Sequence, residues 1–113
     1  MTIENWSEQI IVGELQDDPA FTDDMTTVLE QVQADPNLNV VLNFAGVHYL
    51  NSSNIAKLLR LRRSVIVTNQ RKLKLCAVGT QVWGLFLVTG LDKVFDFVDS
   101  VAEALASVQI ERR

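Results

Sequence analysis

The sequence predicts an α/β fold: a mixed, mostly parallel sheet of roughly four to five strands covered by about four helices, with residues 1–113 forming one domain. Two observations carry this expectation. Short apolar runs alternate along the chain with longer segments of helical periodicity. The central run, Val40, Val41, Leu42 and Phe44, is nearly continuous, as in a strand covered on both faces. A chain of 113 residues, 48% hydrophobic and 21% charged, has enough apolar surface for one core but not for a separate catalytic domain as well.

Taken in order, Thr2 to Glu14 holds two short strand candidates, of which Gln9 to Val12 is the more apolar, and this opening pair makes the sheet mixed. An acidic turn and a helix from Phe21 to Gln33 follow, closed by Pro36. Asp17, Asp18, Asp23 and Asp24 bracket the start of that helix. Capping and dipole stabilisation, about 0.3–1 kcal/mol per carboxylate, account for them more simply than a divalent cation does. The central strand, Asn39 to Phe44, leads through Asn51-Ser52-Ser53-Asn54 into a helix from Ser52 to Asn69. Ile55, Leu58, Leu59, Val65 and Ile66 recur at helical spacing on its inner side, while Lys57, Arg60 and Arg63 form a solvated outer face. Arg62 falls near the centre of the apolar stripe and must send its head group outward or meet an acidic partner.

Lys72 to Val78 alternates as a strand, with Leu73, Leu75 and Ala77 on one face and Lys72, Lys74 and Cys76 on the other. In the helix from Gln81 to Thr89, Val82, Leu85, Phe86 and Thr89 suffice to cover the sheet. Trp83 and Leu87 are left as an i, i+4 pair on a flank, a composition suited to partner docking or self-association into a homo-oligomer. A strand from Lys93 to Phe97 and a helix from Val101 to Val108 complete the fold, with Glu111-Arg112-Arg113 as a loose end.

Little site chemistry is available to this chain. Cys76 is the one cysteine, so no disulfide forms within the chain, and it reads as an ordinary strand residue. His48 has no second His or Cys with which to share a metal and reads as a loop or strand-edge residue. No Gly-rich phosphate loop, nucleophile elbow or paired general acid and base occurs, so neither catalysis nor a cofactor is expected. The net charge of −4 argues against a nucleic-acid partner. No apolar run reaches about 18 residues, and MTIENWSEQ lacks the regions of a signal peptide; the expected location is cytoplasmic.

The junction from Val40 to Arg63 is the most informative segment. A buried strand gives way to a helix through two adjacent hydroxyls, Ser52 and Ser53, flanked by good cap residues. The helix N-terminus carries partial positive charge and tolerates an added phosphate. Capping alone explains such serines at an arbitrary junction. Here VVLNFAGVHYL, NSSN and IAKLLRLRR, followed by VWGLFLVTGLDKVFDF and VAEALASV, together resemble a STAS domain over nearly the whole chain. The family is named for sulfate transporters and anti-sigma factor antagonists.

The resemblance implies a regulatory protein-binding module of the anti-sigma factor antagonist type. Its partner would be an anti-sigma factor that is also a serine kinase with a histidine-kinase-like ATPase fold. That kinase phosphorylates the serine after the motif Asp, here Ser52, and the phosphate breaks the interaction, while Ser53 takes the capping or supporting hydroxyl position. Alternatives within the family are an accessory subunit docking on the ATPase of a lipid-transport ABC system and a non-phosphorylated scaffold of a stress-signalling assembly. Two positions depart from the family pattern: Asn51 stands where Asp is usual and Asn54 where Gly is usual. Asn51 still caps but lacks the charge that would orient a metal-nucleotide complex or the attacking hydroxyl, and Asn54 adds a side chain where the family keeps the partner's approach clear.

Overall fold

The two faces of one sheet bury two sets of apolar side chains, and this division sets the architecture. The structure is a computed structural model that describes residues 3–111. Its elements are β1 (Ile3–Ser7), β2 (Ile10–Gln16), α1 (Ala20–Ala34), β3 (Asn39–Gly46), α2 (Ser52–Arg62) with a π-helical continuation (Arg63–Thr68), β4 (Leu73–Cys76), α3 (Thr80–Thr89), a 3-10 turn (Leu91–Lys93), β5 (Asp96–Val98) and α4 (Val101–Glu111). The strands lie in the order β1-β2-β3-β4-β5. The β1–β2 pair is antiparallel and the other three pairs are parallel, so the sheet is mixed, as expected.

On one face, Phe21, Met25 and Val28 of α1, Leu58 and Leu61 of α2, and Val82 and Phe86 of α3 pack against Ile11, Val40, Leu42, Phe44, Leu73 and Leu75. Phe44 holds this layer together, meeting Phe21 and Phe86 edge-on at 6.3 Å each. On the other face, Ala104 and Val108 of α4 cover Ile10, Val12, Val41 and Cys76. The alternation holds over Leu73–Cys76, with Leu73 and Leu75 facing α2 and α3 and Cys76 facing α4. Lys72, Ala77 and Val78, by contrast, lie outside the strand, which ends where Ala77 turns to a φ of 56°. Lys74 shares the α4 side and pairs with Asp96 across the β4–β5 register at 3.4 Å.

Several details differ from expectation. The inner stripe of α2 is Leu58 and Leu61, continued by Val65, all fully buried, whereas Leu59 is 39% exposed and Ile55 and Ile66 are half-buried. Both leucine-bearing stripes fit helical periodicity, and the sheet selects the one that fills the space above β3 and β4. Arg62 adopts neither of its two expected solutions in full. Partly buried, it donates from Nε to the Val94 carbonyl at 2.9 Å, so a backbone oxygen takes the place of an acid. The expected strand from Lys93 is delayed by the 3-10 turn and starts at Asp96, and the last helix continues past Val108 to Glu111. Thr2, Arg112 and Arg113 lie outside the described residues. Among the described residues, no helix is long and apolar enough to cross a membrane.

Candidate functional site

The C-terminal end of β3 meets β2 so closely that one residue there must lack a side chain. A Cβ on Gly46 would sit 2.9 Å from the Leu15 carbonyl oxygen, at the point where the β2–β3 register shifts. From there the chain leaves the sheet as the loop 47–51 and enters α2. Val47 is buried, while His48 and Tyr49 are exposed.

Asn51 is the N-cap of α2, and its Oδ1 accepts from the Asn54 backbone N–H at 2.8 Å. Asn54 answers: its Oδ1 accepts from the Asn51 backbone N–H at 3.1 Å, closing a capping box built from two asparagines. The cap is thus supplied by the two residues that depart from the family pattern, not by the serines. Ser52 and Ser53 occupy the first turn itself, and both are exposed.

Asp17 and Asp18, in the turn between β2 and α1, hold this junction. Asp18 Oδ2 accepts from Asn54 Nδ2 at 2.8 Å and from Asn51 Nδ2 at 3.3 Å. Its other oxygen accepts from the Thr22 backbone N–H at 2.9 Å and the Thr22 hydroxyl at 2.7 Å, closing the first turn of α1. Asp17 Oδ1 accepts from the His48 backbone N–H at 2.8 Å, and its Oδ2 lies 3.0 Å from His48 Nδ1. The amide of Asn54, and then the Thr22 hydroxyl, hold the Asp18 carboxyl below its ordinary value of 3.8; the His48 backbone N–H does the same most strongly for Asp17.

This arrangement explains Asn51 physically. With Asp18 Oδ2 at 3.3 Å from its side chain, an Asp at position 51 would set two carboxylates against each other, whereas the amide donates. The negative charge usual at the motif stands in this chain on the neighbouring turn. Asn54, 1% exposed, connects the two. Asp18 closes the first turn of α1, as capping implies, and beyond that role it ties the two loops together. No group of three or more His, Cys, Asp or Glu side chains that could hold a metal occurs among the described residues.

The other predicted surface divides. Trp83 is half-buried, with its ring edge-on to Phe97 at 5.0 Å, and belongs to the rim of the core. Leu87 is 51% exposed, and its neighbour Val88, outside the expected pair, is 86% exposed. Cys76 is fully enclosed, and burial pushes its thiol up to about 11, consistent with an inert strand residue.

Comparison with known proteins places this geometry. No curated protein sequence matches the chain. Among solved structures, an anti-sigma-factor antagonist (STAS) domain protein from Planctomyces limnophilus superposes with a TM-score of 0.79 at 23% identity, over 95% of this chain and 97% of that one. The Bacillus cell fate determinant SpoIIAA in its phosphorylated form gives 0.70 at 16% identity, over 94% and 96%. A sulfate transporter family protein from Wolinella succinogenes gives 0.76 at 14% identity, over 95% and 90%. These likenesses establish the fold. The sequence profile of the STAS domain matches residues 14–104, from the end of β2 into α4, and the chain belongs to the STAS domain family.

Proposed function

We propose that this protein is an anti-sigma factor antagonist, a cytoplasmic binding module rather than an enzyme. It docks on a serine-kinase anti-sigma factor through the exposed surface formed by Asn51, Ser52 and Ser53. Asn54, expected to face the partner, is 1% exposed with its side chain turned to Asp18, and supports that surface from beneath. Leu87 on α3 supplies a second, apolar contact, with Trp83 supporting it from the core rim. The observation that carries the reading is the pair of exposed serines in the first turn of α2, with the cap made by their neighbours, so that modification of either hydroxyl leaves the helix start intact.

Ser52 is the regulated position. A phosphate there adds about −1.5 to −2 charges and three acceptor oxygens, which a docked surface must desolvate or repel. In the test, the partner is captured from the native host with the purified chain, identified by mass spectrometry, and its affinity measured for Ser52→Asp and Ser52→Ala. Weaker binding of Ser52→Asp, with a kinase as the captured partner, supports the reading. Equal affinities, or capture of an ABC ATPase in place of a kinase, overturn it.

A further inference from the structure

The outer flank of α2 is basic in an acidic protein. From Ser52 to Thr68 the chain contains Lys57, Arg60, Arg62 and Arg63 and no Asp or Glu, against a net charge of −4 overall. Ser53, Ala56, Lys57 and Arg60 line one shallow depression of about 230 Å³. Lys57 and Arg60 also line the adjoining groove between α1 and α2, where Glu30 is the acidic residue. Neither cation is in an ion pair with another described residue.

Helical spacing separates the two serines. Ser53 lies four residues before Lys57 and seven before Arg60, on one face with both. The corresponding neighbours of Ser52, at four and seven residues, are Ala56 and Leu59, which carry no charge. We infer that Ser53 is a second phospho-acceptor position whose phosphate is received within the same chain by Lys57 and Arg60, whereas a phosphate on Ser52 has no such receptor and is left facing the partner.

The inference rests on the reading that a serine kinase acts at this junction. In the transfer from a nucleoside triphosphate, the bond between the γ-phosphorus and the oxygen bridging to the β-phosphate breaks and a bond from Ser53 Oγ to that phosphorus forms. The nucleoside diphosphate leaves and the hydroxyl proton passes to solvent. The product masks two cations of the α2 face while the Asn51–Asn54 cap stays in place. Modification at Ser53 thus removes positive charge from the α2 flank beside the docking surface, and modification at Ser52 adds negative charge to the docking surface itself.

Phosphorus NMR tests this without a kinase. Phosphoserine is incorporated at position 53 or position 52 of the full chain, and the second ionisation of each phosphate, ordinarily near pH 6, is followed by its chemical shift. His48 and Glu30 are common to both proteins. The phosphate at 53 is expected to ionise about half a pH unit below that at 52, from two cations at helical spacing along the same depression under surface screening. Lys57→Gln with Arg60→Gln should abolish the difference without moving the phosphate at 52, and each single substitution should remove part of it. Coincident titrations, or a difference that survives the double substitution, overturn the inference. Because no partner enters the experiment, its outcome is separate from that of the capture experiment on the antagonist reading.

Discussion

Asn54→Ala is expected to destabilise the protein more than a substitution at an exposed helix start would. The Asn54 side chain is 1% exposed, accepts from the Asn51 backbone N–H at 3.1 Å and donates to Asp18 at 2.8 Å. Asn51 still caps the backbone N–H of residue 54, but loss of the answering bond to the Asn51 N–H costs about 1 kcal/mol. Loss of a buried amide's other hydrogen bond costs about 1 kcal/mol more. For a domain of 113 residues, the combined loss of about 2 kcal/mol lowers the melting temperature by about 8 °C, read by circular dichroism and checked by urea titration. Asn54→Asp sharpens the test. An acid at this position normally favours a helix start. Here it faces Asp18, so at pH 7 it should destabilise, and Asp18→Asn in the same background should restore stability by exchanging the two roles. A melting temperature for Asn54→Ala within about 2 °C of the parent, the range of an ordinary surface change, would refute the reasoning, as would a rise for Asn54→Asp.

Other outcomes follow from the same structure. Asp17 and Asp18 both ionise below 3.8 in the folded state, so their contribution to stability is complete above that value and is lost as pH falls through their lower folded values. The backbone amide resonances of His48 and Thr22 should therefore shift at a pH below 3.8, and unchanged resonances down to acid unfolding would contradict the tether. Leu87→Glu should leave the melting temperature within about 2 °C of the parent and weaken partner binding, whereas Trp83→Ser, which empties the site against Phe97, should cost about 2 kcal/mol of stability. Cys76, with its thiol raised to about 11 and enclosed between β3, β4 and α4, should resist a thiol reagent at pH 8 in the native protein and react at once in denaturant.

Elements with a strong period were readable from the chain. The order of strands and helices, the two faces of β4 and the helix starting at Ser52 all appear in the structure as residue patterns imply. What escaped has no periodic signature. Asp18 reaches Asn51 and Asn54 across 33 and 36 residues, and Asp17 reaches His48 across 31, through single polar contacts that leave no trace in local spacing. Leu59 was misplaced for a different reason. Adjacent leucines offer two stripes of equal hydrophobicity, and only the height of α2 above the sheet chooses between them. The π-helical segment from Arg63 to Thr68 then widens the turn, so phase counted forward from Ser52 drifts before Ile66 is reached. At the candidate site, the serines and their asparagine flanks were legible, but the reason for the asparagines was not, since it lies on another loop.

The twin aspartates have a consequence for engineering. Because Asp17 and Asp18 grip opposite ends of the stretch from His48 to Asn54, that stretch is not a portable cassette. Transplanted alone into a relative carrying Asp at the motif and other residues in the preceding turn, it would arrive without its anchors. The transferable unit is discontinuous, the dipeptide at 17–18 together with the loop at 48–54, and chimeras that exchange both should retain a helix start that chimeras exchanging either one lose.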